Sequence, residues 1–363
     1  MSDCVVTVQD DRITAIEPRA GRALPNCFDL SSCTVIPGLI DCHDHLGVDI
    51  GDEVAQSKEP LGYTAIKGVK NARDMLRAGI TTLRSVGEQY HLDVSWRRAV
   101  QEGLMDGPDL LICGEFIART GGHGWFFGNE VDGVESIRKS VRRQIKAQVD
   151  WIKIMITGGM STPGSVALMA EYSDEEIAVC IEEAHRANRK VAAHVHGGPG
   201  ASAAIRHGVD SIEHGTYLTD EQLKMMVEKG TWLVSTAGFC HGLVTMPGMP
   251  DFYVQKGKKA LEAAIDLLRR AREHGVRVAF GGDTYHAHPV VDMEKLVEAG
   301  YSPMQAIQIA TRDAAELCGL SSVVGTIELG KRANIIAVRD NPLERIAAVG
   351  EVCFVMKGGR RYF

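Results

Sequence analysis

The residues most able to do chemistry stand at the ends of short apolar runs. In IPGLIDCHDHLG (Ile36–Gly47), His43 and His45 lie one residue apart. On an extended strand such i, i+2 neighbours project to the same side, while Asp44 points away. Taken alone, an H-x-H pair is more often polar loop chemistry than a metal site. The pattern recurs, however. KVAAHVH ends with His194 and His196, and SIEHG places His214 at a strand end. AFGGDT delivers Asp283 beside two glycines that let the backbone approach a ligand closely. Each has a plain explanation by itself: a hydrogen-bonded loop residue or, for Asp283, a helix N-cap. Four such strand ends converging on one place point instead to a shared site of imidazole and carboxylate groups.

Lys153 lies inside the apolar run WIKIMI (Trp151–Ile156). A buried ammonium is costly and its pKa falls. Two solutions stand open. One is a salt bridge to a neighbouring carboxylate. In the other the neutral amine reacts with carbon dioxide, giving a carbamate whose anionic oxygens can bridge two metals.

These residues need a scaffold that brings strand ends together. Eight apolar, β-branched runs alternate with helical patterns: Val35–His43, Gly79–Gly87, Asp109–Phe116, Trp151–Ile156, Lys190–His196, Asp210–Gly215, Thr231–Gly238 and Val276–Thr284. Several are continuously apolar, as parallel strands covered on both faces are. Ser173 with Glu176, Thr219 with Gln222 and Ser302 with Gln305 fit capping boxes, and Pro303 sits at a first helical position. HGVD, KGTW and HGVR mark helix ends at glycine. The expectation is an α/β protein, a (β/α)8 TIM barrel over residues 35–324 whose active site lies at the C-terminal ends of the strands. A doubly wound sheet is the alternative, but no G-x-G-x-x-G follows the first strand. The end segments, 1–34 and 325–363, read as strands too short to stand alone, and are expected to pair into a composite, sandwich-like small β domain. CVVTVQDDRITAIEP reads as a hairpin with Asp10 and Asp11 in its turn.

At this point the sequence resembles the amidohydrolase superfamily. PGLIDCHDH, Lys153 on the fourth strand, His194 on the fifth, His214 on the sixth and Asp283 on the eighth match it strand by strand, and so does the tail GTIELGKRANIIAVRDNPL. GITTLRSVG, TGGHG (Thr120–Gly124) and SIEHG look closest to its prolidase-like and imidazolonepropionase-like branch. The resemblance implies a binuclear centre, with zinc the expected metal and manganese, iron or cobalt also compatible. His43 and His45 would hold one ion, His194 and His214 the other. Carboxylated Lys153 would bridge them, with Asp283 beside the bridging hydroxide. Asp283 would serve as the proton carrier, His123 of TGGHG as a candidate oxyanion donor, and His196 as a candidate for orienting the carbonyl or a substrate carboxylate.

The reaction implied is hydrolysis of an amide-type C–N bond in a dipeptide or N-acyl amino acid, with carbamates, ureas and anilides close in chemistry. Ring deaminases of the superfamily commonly carry a glutamate three residues after the fifth-strand histidine, where this chain has Gly197. A mononuclear deaminase or cyclic-amide hydrolase is the second reading. A non-catalytic barrel kept for assembly or binding is the third. Arg84 reads as a structural ion pair ahead of a carboxylate anchor. Phe239–Tyr253 suits an apolar substrate wall or helix packing, and His286 and His288 read as loop residues near the mouth. Asn334 departs from the aspartate usual in relatives, at a turn away from the site.

A 363-residue chain with 45% hydrophobic and 24% charged residues can bury a sizeable core. A net charge of -7 argues against nucleic acid and anionic membranes as partners, leaving a small-molecule substrate. The basic stretch IRKSVRRQIK reads as the solvated face of a helix. Nine cysteines without a C-x-x-C pair read as free thiols in a reducing compartment. With no signal-peptide pattern and no apolar run of roughly 18 residues, a cytoplasmic protein is expected. Homo-oligomerisation is implied by the resemblance alone.

Overall fold

The computed structural model describes residues 4–19, 27–249 and 251–363. Residues 1–3 and 20–26 of the N-terminal segment, and Pro250 of the segment after the seventh expected strand, lie outside the described residues.

The chain begins with a hairpin, β1 (Cys4–Gln9) and β2 (Arg12–Pro18). Asp10, in the left-handed region at φ 54°, sits in its turn. Then comes β3 (Thr34–Pro37) and the barrel: β4 (Leu39–Asp44), β5 (Ile80–Ser85), β6 (Asp109–Ile112) with its two-residue continuation β7 (Ile117–Ala118), and a short β8 (Asn129–Glu130) beside β7. The barrel continues with β9 (Trp151–Met155), β10 (Lys190–Val195), β11 (Ser211–His214), β12 (Trp232–Ser235) and β13 (Val278–Phe280). These strands pair in parallel, β4–β5–β6 and β7–β9–β10–β11–β12–β13. Asp150 N–H donates to Ile112 O at 2.9 Å and Asp283 N–H to His43 O at 2.6 Å, joining the two sheets at both seams. The result is a (β/α)8 barrel. Every residue of β4, β5 and β9 is buried, because helices cover the outside and side chains fill the inside.

The expected strand over Val35–His43 is two strands. Pro37 has no N–H to continue a ladder, and Gly38 passes so close to β5 that a Cβ would sit 2.3 Å from Thr81 Oγ1. Thr34–Pro37 therefore leaves the barrel and pairs with β14 (Ile335–Val338), which also pairs with β15 (Val352–Lys357); β16 (Arg360–Arg361) completes that sheet. Ile13 N–H donates to Lys331 O at 2.9 Å, and Ile13 packs with Ile335, Ala337, Phe354 and Met356. The segment Asp109–Phe116 breaks at Cys113 before β7 resumes it.

All three capping boxes form, each with the side chain bonded to the third helical N–H and the reciprocal bond returned. Gly208, Gly230 and Gly275 end their helices at positive φ. Helix Val134–Lys146 buries Ile137, Ser140, Val141 and Gln144 and leaves Lys139, Arg142, Arg143 and Lys146 in solvent. Among the described residues, no helix is long and apolar enough to cross a membrane.

Candidate metal centre

The strand ends meet in a pocket at the C-terminal mouth of the barrel. His43, His45, His123, Lys153, His194, His196, His214 and Asp283 all line it. The sequence named these eight side chains from separate segments, and the fold brings all of them to one cavity.

His43 is the last residue but one of β4 and His45 follows the strand, their ring centroids 5.6 Å apart. His43 also lies 4.8 Å from the His214 ring, which lies 4.6 Å from His194. Asp283 stands between the two groups, its oxygens 3.9 Å from His43 Nε2 and 3.9 Å from His214 Nδ1. Both Asp283 (φ 55°) and His214 (φ 70°) adopt the left-handed backbone that non-glycine residues avoid. At Gly281 a Cβ would approach His43 Cβ to 2.6 Å, so glycine is what lets the β13 turn close on β4. Among the described residues, His43, His45 and Asp283 form a group whose ligand atoms all lie within 4.8 Å of one another. His194 and His214 line the opposite side of the same pocket.

Hydrogen bonds decide which imidazole nitrogen faces inward. His45 Nδ1 donates to Gly87 O at 2.7 Å, and His43 Nδ1 to Glu213 Oε2 at 2.6 Å. In both rings Nε2 is left with its lone pair. His194 Nε2 lies 3.3 Å from Gly158 O, which leaves Nδ1. His214 Nδ1 pairs with Thr236 Oγ1 at 2.7 Å and His196 Nδ1 with Thr216 Oγ1 at 3.0 Å. His123 is buried against His194, 4.2 Å between ring centroids, with Nδ1 2.8 Å from Thr162 Oγ1.

Electrostatics keep these rings neutral. Burial, reinforced by the Lys153 charge, holds His43 well below the usual histidine range and lowers His45 to about 4. Burial also lowers His196 to about 4 and His123 to about 3, and pushes His194 and His214 well down. A neutral imidazole is the form that ligates a metal. Burial, with Asp44 nearby, raises the Asp283 carboxyl to about 7.

Lys153 is 1% exposed, and its Nζ has no hydrogen-bond partner among the described residues. The salt-bridge solution is therefore absent. Burial lowers the amine to about 8 against the partial opposition of Glu213 and Asp283. That shift corresponds to a penalty of roughly 3 kcal/mol, about what full burial of one isoleucine returns. Ile152 and Ile154, both 0% exposed, flank it. An orphaned amine beside neutral imidazoles and a carboxylate is a donor set that fits divalent cations.

The remaining candidates lie around this centre. Arg84 is fully buried and pairs with Glu213 at 2.9 Å, away from the pocket lining. Asp44 turns from the pocket, as expected, and meets His286 at 2.7 Å; His286 lies in the loop after β13, as expected, and is the ion-pair partner of Asp44. His288 stacks on Tyr285. Phe239 and Cys240 face the cavity from helix Ala237–Thr245 and form an apolar wall with Phe116, Phe127, Met155 and Met160. Sequence reasoning passed over Glu213 and the threonines behind the rings. The signal for Glu213 was an acid inside the apolar run SIEHG, facing an arginine inside TTLRSVG.

Over 369 aligned positions the chain is 32% identical to ochratoxinase of Aspergillus niger, covering 90% of this chain and 75% of that protein. The structure superposes on a Xaa-Pro dipeptidase with methionine bound in its active site at TM-score 0.88 and 32% identity, over 98% of this chain and 94% of that one. It superposes equally on a prolidase complexed with N-methylphosphonate-L-proline, at TM-score 0.89 and 29% identity, over 98% and 94% of the two chains. The amidohydrolase family profile matches residues 34–361, so the chain belongs to the amidohydrolase family and is a hydrolase.

Proposed function

We propose that the protein is a metal-dependent amidohydrolase that cleaves the C–N bond of a dipeptide or an N-acyl amino acid, with carbamates and anilides as chemical neighbours. The observation that carries this is the buried amine of Lys153, without a hydrogen-bond partner among the described residues, in a pocket of neutral imidazoles. His43 and His45 would hold one divalent ion, His194 and His214 a second, and Lys153, as its carbamate, would bridge them. Zinc suits this mixture of nitrogen and oxygen donors. Bound there, the ions would acidify a shared water and polarise the substrate carbonyl. Carbamate, Asp283 and hydroxide would offset three of the four metal charges, leaving a modest excess to act on the carbonyl.

The chain's own residues do the rest. Asp283, placed between the two groups of histidines, takes the proton of the attacking water and returns it to the leaving nitrogen. His123, held by Thr162, offers Nε2 to the developing oxyanion. His196, held by Thr216, orients the carbonyl or a carboxylate of the substrate. Phe116, Phe127, Met155, Met160 and Phe239 exclude water and accept an apolar group. The name Xaa-Pro dipeptidase on a 32% identical structure supports the dipeptide end of this range. The barrel, from Leu39 to residue 324, would be the catalytic unit, with β3 and the segments 1–34 and 325–363 as its composite β companion.

A screen of zinc-loaded protein against dipeptides, N-acyl amino acids, carbamates and cyclic imides tests this. Amide cleavage is expected; ammonia release from an aminated ring with no amide cleavage would overturn it. The second reading, a mononuclear deaminase or cyclic-amide hydrolase, draws support from the compact group His43, His45 and Asp283. Full activity with one tightly bound ion per chain would select it.

A further inference from the structure

Behind His43 lies a polar network that the proposed chemistry does not use. Arg84 on β5 and Glu213 on β11 are both 0% exposed. Arg84 Nη2 donates to both Glu213 oxygens at 2.9 Å, and Arg84 Nη1 to Ser211 Oγ at 3.1 Å. Ser211 Oγ in turn donates to Glu213 Oε1 at 2.5 Å, and Arg84 Nε to Cys42 O. The guanidinium lies 4.4 Å from the Trp151 ring centre, which fixes its plane. One acceptor position of the carboxylate remains, and His43 Nδ1 fills it at 2.6 Å.

We infer that Glu213, oriented by Arg84 and Ser211, is a positioning residue that locks His43 in the Nδ1–H tautomer and so reserves Nε2 for a metal ion. The direction of every bond supports this. Arginine can only donate, and Ser211 spends its one proton on Oε1 after accepting from Arg84. Oε2, facing His43, is therefore an obligate acceptor. A carboxylate behind a ligating imidazole also raises its basicity. An Arg–Glu pair serving only the fold would be satisfied without His43 and would leave the ring free to choose its tautomer. The inference rests on reading His43 as a ligand, but the tautomer itself is a property of the metal-free chain.

The decisive variant is Glu213→Gln, which keeps size and shape. Ser211 and Arg84 would draw the amide oxygen to the Oε1 side. The amide NH2 would then face His43 Nδ1 and donate to it, turning the ring to Nε2–H and closing the ligand position. In ¹⁵N-histidine-labelled, metal-free protein at neutral pH, His43 (assigned by loss of its signal in His43→Asn) is expected to show protonated Nδ1 in the wild type and protonated Nε2 in Glu213→Gln. Zn²⁺ affinity, measured by chelator competition, is expected to fall about 10- to 100-fold in Glu213→Gln. Glu213→Asp, which retains an acceptor, is expected to recover part of it. Protonated Nε2 on His43 in the wild type would overturn the inference without any variant, so a Glu213→Gln that fails to fold does not shelter it. An unchanged tautomer and Zn²⁺ affinity in a folded Glu213→Gln would overturn it as well. A wild type with the expected tautomer that binds no Zn²⁺ would sink the metal reading instead and leave the tautomer lock standing.

Discussion

His43 and His214 lie 4.8 Å apart, yet opposite kinds of neighbour hold them. On the β4 side the partners are a carboxylate, Glu213, and a carbonyl, Gly87, neither of which donates. On the β11 side His214 and His196 meet hydroxyls, Thr236 and Thr216, while His194 meets the Gly158 carbonyl at a longer 3.3 Å. A hydroxyl can donate or accept, so it fixes where a ring lies without dictating which nitrogen carries the proton. One half of the pocket is preset by acceptors buried in the barrel. In the other, His214 and His196 are placed but electronically adjustable, and His214 is held in a strained left-handed backbone. Asp283 stands between the halves, and the Lys153 charge acts on rings of both.

Breaking the shared residues should cost most. Lys153→Ala removes the only group expected to tie both halves to one pair of ions, and kcat/KM should drop by at least about 10⁴-fold, with two-ion loading lost. Steady-state kinetics beside metal analysis checks this; full retention of both would remove the carbamate from the account. Asp283→Asn keeps shape but not proton transfer, and kcat should fall by about 10³-fold, with KM changing far less.

The halves separate next. Thr236→Val should weaken binding of the second ion by roughly tenfold while leaving the His43 tautomer unchanged, as a ¹⁵N spectrum would show. Equal sensitivity of both halves would erase the contrast drawn between carboxylate and hydroxyl.

The smallest effect concerns Asp292, which supports the N-terminus of helix Ala237–Thr245 behind Thr236. Its Oδ1 accepts from Gly238 N–H at 2.8 Å, while burial pushes its carboxyl up to about 8. The folded-state pKa is raised. Between about pH 4 and 8 the folded chain therefore keeps a proton that the unfolded chain has released, and stability falls as pH rises through that window. Asp292→Asn, which retains the acceptor, should flatten that fall in denaturant melts taken across the range. A wild-type profile with no such decline would contradict the buried neutral acid.

Much of this site was legible because its residues break an apolar pattern. His43, His194 and His214 stand at strand ends, and Lys153 interrupts a run of isoleucine and methionine, so period and polarity flag them without a structure. Ser173, Thr219 and Ser302 announced their helices for the same reason: capping is local chemistry. What escaped is long-range. Glu213 and Arg84 are 129 positions apart and meet across the barrel, where no spacing rule applies. The turn of Val35–Pro37 into the outer sheet depends on how closely Gly38 passes Thr81, a fact of packing. Glu53 reaches the pocket from a short helix in the loop after β4, and nothing in its neighbourhood of sequence marks it.

The central claim is a two-ion centre bridged by a modified Lys153. It is tested most directly by counting metal ions per chain in the purified wild type while recording the ¹³C spectrum after growth and exchange in ¹³C-bicarbonate. Two ions per chain and a carbamate carbon signal absent from Lys153→Ala are predicted. One ion per chain, no carbamate signal and full amide-hydrolase activity would contradict the account.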